Sequence, residues 1–185
     1  MIQPWPSLHA SIAGDFRIFK IRQETKRSPR TELCQDFFIL DCANWVNVIA
    51  LTTDDHLVMV EQYRHGSKTV ELEVPGGVID PEDVSPMSAA ARELREETGY
   101  AGDGPLMLGQ VFPNPAIMSN TCYTVLIQNC WLQHQRALDH GEDLITRLVP
   151  VREIENLIAS GRIRHAMVVV ALRFFELWRR GSLVR

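Results

Sequence analysis

Three glutamates, Glu93, Glu96 and Glu97, fall at positions i, i+3 and i+4 in the run Arg92-Glu93-Leu94-Arg95-Glu96-Glu97-Thr98-Gly99-Tyr100. At that spacing they share one face of a helix. Like charges side by side repel one another, and a divalent cation is the simplest physical reason to keep them together. Oxygen-only ligands favour a hard ion such as Mg²⁺, with Mn²⁺ as a substitute; such an ion takes few protein carboxylates, keeps waters and bridges substrate phosphates. The plain alternative is a salt-bridged surface helix, since glutamates and arginines at helical spacing are common. That alternative does not explain the glycines Gly76 and Gly77 that precede the run.

The stretch from Gly77 to Tyr100 resembles the Nudix box, the signature of the Nudix hydrolases. The pattern is Gly, five residues, Glu, seven residues, then Arg-Glu-aliphatic-any-Glu-Glu-any-Gly-aliphatic. Gly77, Arg92, Glu93, Leu94, Glu96, Glu97 and Gly99 fill their positions, and Tyr100 stands at the last apolar one. There are two departures. Gly77 and Arg92 are one residue further apart than in the pattern, and the pair Glu82-Asp83 replaces the single early Glu. The extra residue fits best in the loop around Val84-Ser85-Pro86, where insertions are tolerated.

The resemblance implies that Glu93 and Glu97 are the principal metal ligands and that Glu96 is a further ligand or a contact to metal-bound water. It also implies a metal contact from the backbone carbonyl at Gly76, where the lack of a side chain permits close approach. Arg92 would orient the carboxylates. Relatives take a general base from a glutamate on a late loop, and Glu142 is the matching candidate, with Asp139 and Asp143 as rivals. A glycine beside it, Gly141, suits a loop that closes over substrate.

Segments outside the box point to one branch. Val60-Glu61-Gln62-Tyr63-Arg64 and the loop Glu73-Val74-Pro75-Gly76-Gly77 resemble those of ADP-ribose pyrophosphatases and related nucleoside diphosphate sugar hydrolases. The tail from Glu142 to Ala166 is similar as well. Substrate contacts are expected from Arg64, whose planar fork suits a diphosphate oxygen, and from Glu73, Trp45 and Asn114. Trp45 would stack on a base, and Asn114 or Asn120 would bond a sugar. A surface salt bridge for Arg64, core packing for Trp45 and a structural loop at 112–120 are the alternatives. The lone histidines are given no role.

The expected activity is therefore Mg²⁺-dependent cleavage of ADP-ribose or another nucleoside diphosphate sugar into a nucleoside monophosphate and a sugar phosphate. Two alternatives are a house-cleaning hydrolase of nucleoside triphosphates or dinucleoside polyphosphates, and a Nudix-fold ligand sensor with weak catalysis. Keeping all three box glutamates argues against the sensor.

Composition sets outer bounds. The chain has 185 residues, a net charge of −4 and a hydrophobic fraction of 45%, ordinary values for a globular protein. The acidic balance argues against an extended nucleic-acid surface, and no apolar run is long enough to span a bilayer. The four cysteines, Cys34, Cys42, Cys122 and Cys130, form no CxxC pair and read as free thiols in a reducing cytoplasm.

The elements that position these residues follow from periodicity. Strands are expected at 16–22, 36–40, 45–52, 56–63, 69–74, 106–112, 121–128 and 144–149, and helices at 153–159 and 165–180. Ser85-Pro86 or Ser88 caps the box helix, and Gly99 stops it. The resemblance implies a Nudix α/β/α sandwich around a mixed sheet at 43–185, preceded by an antiparallel β-element at 1–42. It also implies a homodimer held through that element.

Overall fold

The computed structural model describes residues 1–138, 141 and 143–183. The chain clusters into two units, Met1–Asn44 with Phe112–Thr121, and Trp45–Val111 with Cys122–Arg185.

In the first unit, β1 (Ser7–Asp15), β2 (Phe19–Arg27) and β3 (Cys34–Cys42) form an antiparallel sheet in that order. Of the strand expected at 16–22, only the part from Phe19 forms, as the start of β2. Phe16–Ile18 is the reversal between β1 and β2, where Arg17 adopts φ 66° and the Phe16 N–H donates to the Phe19 carbonyl at 2.9 Å. Phe16 and Phe19 stack across it at 5.2 Å between ring centroids. The alternation that suggests a strand is an aromatic clamp on a hairpin. The stretch 112–121 docks on β3: the Leu40 N–H donates to the Ile117 carbonyl at 2.7 Å, and the Ser119 N–H donates to the Leu40 carbonyl at 3.1 Å.

The second unit is a mixed sheet between helices. Its strands are β4 (Trp45–Thr52), β5 (His56–Arg64), β6 (Thr69–Glu73), β7 (Gly76–Val78), β8 (Tyr100–Ala101), β9 (Leu106–Val111), β10 (Cys122–Leu132) and β11 (Leu144–Pro150). The order is β11-β5-β4-β10-β8, with β6 on β5, β7 on β4 and β9 on β10. β4 and β10 run parallel, and the other pairs are antiparallel.

Period-two alternation divides the strand residues between two cores. Val46, Val48, Ala50, Val58, Val125 and Ile127 pack with Ala89, Ala90 and Leu94 of helix α1 (Pro86–Thr98). Their neighbours Ile49, Leu57, Met59 and Leu126 face the other way, onto Ile154 of α2 (Ile154–Ala159) and Val168, Ala171, Leu172 and Phe175 of α3 (Ala166–Arg179). The result is the expected α/β/α sandwich. The strands expected in this unit form within a few residues of their expected ends, and the helix expected from 153 starts as a 3-10 turn, Val151–Glu153.

Candidate active site

α1 is rigidly delimited. The Ser85 hydroxyl accepts from the Ser88 N–H at 3.1 Å, and the Ser88 hydroxyl accepts from the Ser85 N–H at 2.9 Å. Pro86 opens the first turn, and Gly99 closes the helix at φ 76° with its N–H on the Arg95 carbonyl. This reciprocal capping satisfies donors that the helix start would otherwise leave open. Alanines at 89 and 90 let the helix lie close to the sheet, which buries the carboxylates of Glu93 and Glu97 at 7% and 3% exposure.

β7 brings the glycine loop against them. The Gly76 N–H donates to Glu97 Oε2 at 3.0 Å. A Cβ at Gly77 would lie 2.6 Å from Glu93 Oε1, and one at Gly76 would overlap the Val46 carbonyl oxygen. Gly76 has no room for a side chain against the β4 backbone, and one at Gly77 would displace the Glu93 carboxylate.

Arg92 is the hub of the helix face. It donates to Asp83 through Nε at 3.3 Å and Nη2 at 2.9 Å, to Glu96 Oε2 through Nη1 at 3.1 Å, and to the Val78 carbonyl at 3.0 Å. The same Nη1 lies 2.9 Å from Glu93 Oε1. The hydrogen bonds to Asp83 lead the effects that raise the Arg92 pKa, and the guanidinium in turn lowers the Asp83 carboxyl. Of the pair Glu82-Asp83, the structure turns Asp83 inward and leaves Glu82 exposed. Glu96 is the most exposed of the three box glutamates, with Arg95 on its second oxygen at 3.4 Å.

A cavity of about 750 Å³ opens beside this arrangement, a volume suited to a nucleotide-sized ligand. Trp45, Asn47, Arg64, Glu73, Gly76, Gly77 and Cys122 line it, together with Glu71, Arg164 and His165. Glu73 is 2% exposed. Arg64 grips it with both prongs, Nε to Oε1 at 3.0 Å and Nη2 to Oε2 at 2.6 Å. His165 Nδ1 lies 3.3 Å from the same Oε2. Burial opposes the Glu73 charge, but His165 and Arg64 outweigh it and hold the carboxyl down at about 2.

Of the expected substrate contacts, Arg64, Glu73 and the half-buried Trp45 come together in this cavity. Asn114 belongs to the first unit, where its carbonyl closes a turn by accepting from the Ile117 and Met118 N–H groups. Asn120 is buried there, with Nδ2 donating to the Ala43 carbonyl at 3.0 Å. Glu142 and Asp139 lie outside the described residues. Sequence reasoning missed Asp83 as the arginine's main partner, and gave Glu71, Arg164 and His165 no role. Glu71 and Arg164 are 93 positions apart, and no local pattern signals their meeting.

Among the described residues no three carboxylate, imidazole or thiol side chains converge as a ready-made cation cage. Mg²⁺ does not demand one, since it takes one or two carboxylates, keeps waters and draws on substrate phosphates. Two buried carboxylates against a glycine backbone fit that donor set.

Comparison with known proteins agrees with this geometry. The model of the NUDIX domain matches residues 43–170. The ADP compounds hydrolase NudE of Escherichia coli (strain K12) is 28% identical over 135 residues, which cover 73% of this chain and 72% of the relative. The ADP-ribose pyrophosphatase of Bacillus subtilis (strain 168) is 26% identical over 133 residues, 71% of each chain. A crystal structure of an ADP compounds hydrolase superposes with a TM-score of 0.86 at 22% identity, covering 98% of this chain and 97% of the other. At that identity the likeness speaks to the fold.

Proposed function

We propose, since this chain belongs to the Nudix domain family, that it cleaves the pyrophosphate bond of ADP-ribose or another nucleoside diphosphate sugar, with Mg²⁺ as cofactor. The observation that carries this reading is the buried pair Glu93 and Glu97 set against Gly76 and Gly77 at the wall of a nucleotide-sized cavity. The names of the similar proteins, an ADP compounds hydrolase and an ADP-ribose pyrophosphatase, support the substrate class.

Glu93, Glu97 and the Gly76 carbonyl hold the cation, with Glu96 as a further contact. When bound, the divalent ion neutralises charge on the diphosphate and activates water for attack. Arg92, itself fixed by Asp83, keeps Glu93 and Glu96 from swinging apart. Arg64 arrives at the cavity already oriented by Glu73, so its guanidinium meets a diphosphate oxygen with little further loss of side-chain freedom. Trp45 offers a flat face to the base. Glu142 is the proposed general base.

A homodimer is proposed as well. Exposed apolar residues on or beside the three-stranded sheet of the first unit, Leu8, Ile12, Ile18, Leu33 and Phe38, support it. The free thiols Cys34, Cys42, Cys122 and Cys130 are consistent with a cytoplasmic location.

The test is product analysis with Mg²⁺ on ADP-ribose, other nucleoside diphosphate sugars, dinucleoside polyphosphates and nucleoside triphosphates. Monophosphate plus sugar phosphate is the expected outcome. Turnover of triphosphates alone would replace this reading with the house-cleaning one. Glu97→Gln is expected to fold and to lose most of its turnover; near-wild-type rates in that variant would remove Glu97 from the metal site.

A further inference from the structure

β6 presents two glutamates to the same cavity. Glu71 and Glu73 are two residues apart and therefore share one face of the strand. Both are buried, at 5% and 2% exposure, and each is held by an arginine. Arg64 serves Glu73. Arg164 serves Glu71, with Nε at 3.1 and 3.2 Å from its two oxygens and Nη2 at 2.9 Å from Oε1. Burying a carboxylate carries a desolvation penalty, and at Glu71 hydrogen bonds from Arg164 and from the Thr69 hydroxyl outweigh it and lower its pKa.

What Glu71 does is fix a guanidinium at the cavity wall. Arg164 lines the cavity and its side chain is 56% exposed. Nε and Nη2 face Glu71, and among the described residues Nη1 has no protein partner. The backbone beneath is held too: the Arg162 and Ile163 N–H groups both donate to the Leu157 carbonyl at 2.9 Å, and Ile163 is buried. Same-face residues on a strand step about 6.5 to 7 Å. The two guanidinium groups thus sit on carboxylates one same-face step apart along β6, Arg64 on Glu73 and Arg164 on Glu71.

We propose that Arg164, held by Glu71, is a second anion anchor that recognises a phosphoryl group beyond the cleaved diphosphate, so that the preferred substrates are nucleoside diphosphate compounds carrying a further phosphate. The inference rests on the diphosphate reading of the Arg64 side of the cavity. The further phosphate can come from a longer polyphosphate chain or from a phosphomonoester on a sugar.

Two matched pairs separate these sources: diadenosine triphosphate against diadenosine diphosphate, and 2′-phospho-ADP-ribose against ADP-ribose. With Mg²⁺, the wild-type protein is expected to favour the phosphate-richer member of one pair by about tenfold or more in kcat/KM, the scale of a charge-assisted hydrogen bond. Arg164→Gln is expected to abolish that preference. Since this variant leaves Glu71 buried without its partner, the double variant Glu71→Gln/Arg164→Gln is measured beside it and should lose the same preference. No preference in either pair, or one that survives the double substitution, overturns the anchor. If none of the four compounds turns over, the diphosphate reading fails instead. Calorimetric titration then decides the anchor, using inorganic triphosphate against diphosphate, and adenosine 2′,5′-bisphosphate against AMP. Tighter binding of the phosphate-richer probe that the double variant loses supports it, and equal binding removes it.

Discussion

Glu73→Gln keeps the shape of a buried side chain and removes the charge that His165 and Arg64 hold. In the wild-type protein burial pushes that carboxyl up, yet the contacts with His165 and Arg64 prevail and set it at about 2 against an ordinary 4.5. The folded chain therefore binds this proton less well than the unfolded chain. The stabilisation is complete above the unfolded value and is lost as pH falls through the folded one. At roughly 1.4 kcal/mol per tenfold, it amounts to about 3 kcal/mol at neutral pH, of which about 2 kcal/mol is gone by pH 3. The assay is urea unfolding of both proteins at pH 7, 5, 4 and 3. Subtracting one from the other cancels every carboxylate they share. The gap between them should narrow by about 2 kcal/mol from pH 7 to pH 3, mostly below pH 4.5. A gap that stays constant across this range refutes the reasoning, because it would mean that Glu73 is not ion-paired in the folded state.

Three further outcomes are expected. Arg92→Lys keeps a positive charge but cannot fork between Asp83 and the box glutamates, so activity or Mg²⁺ affinity should fall about 10- to 100-fold, the usual cost of losing a residue that orients ligands; steady-state kinetics against Mg²⁺ concentration check it. Gly77→Ala places a methyl 2.6 Å from Glu93 Oε1, so turnover should drop sharply while the circular dichroism spectrum is retained. Ser85→Ala removes one half of the reciprocal cap on α1 and should cost about 1 kcal/mol by chemical denaturation.

The sequence shows most clearly what is local. The ends of α1 are legible because Ser85, Pro86 and Gly99 act within a few residues of themselves. β4 is legible because Val46, Val48, Ala50 and their alternates fill two apolar layers. β1 is not, since Ser7–Asp15 is short of large apolar residues and almost wholly exposed within its own unit, which leaves no burial pattern to read. The acidic half of the candidate site sits on a single helix and the glycine loop before it, so its residues can be named from spacing. The opposite wall cannot. It forms where β6 meets the loop ahead of α3, and Glu71 finds Arg164, and Glu73 finds His165, only after the sheet has closed. Asp83 is intermediate: the acidic pair marks the place, but only the direction in which the loop turns decides which member Arg92 grips.

The hydrogen bond from Asn47 Nδ2 to the Met167 carbonyl, 3.0 Å long, joins residues 120 positions apart. Both residues line the cavity, along with others drawn from the chain between them. A loop of that length closes slowly, because its entropy must be surrendered before any contact rewards it. The pocket thus exists only once the start of α3 has docked on β4. A chain that has folded its sheet and α1 but not yet docked the start of α3 has its acidic helix in place and no cavity wall at Arg164 and His165. Detachment of that one segment from Asn47 dismantles the pocket from its far side, while the caps and core of α1 keep the glutamates where they are.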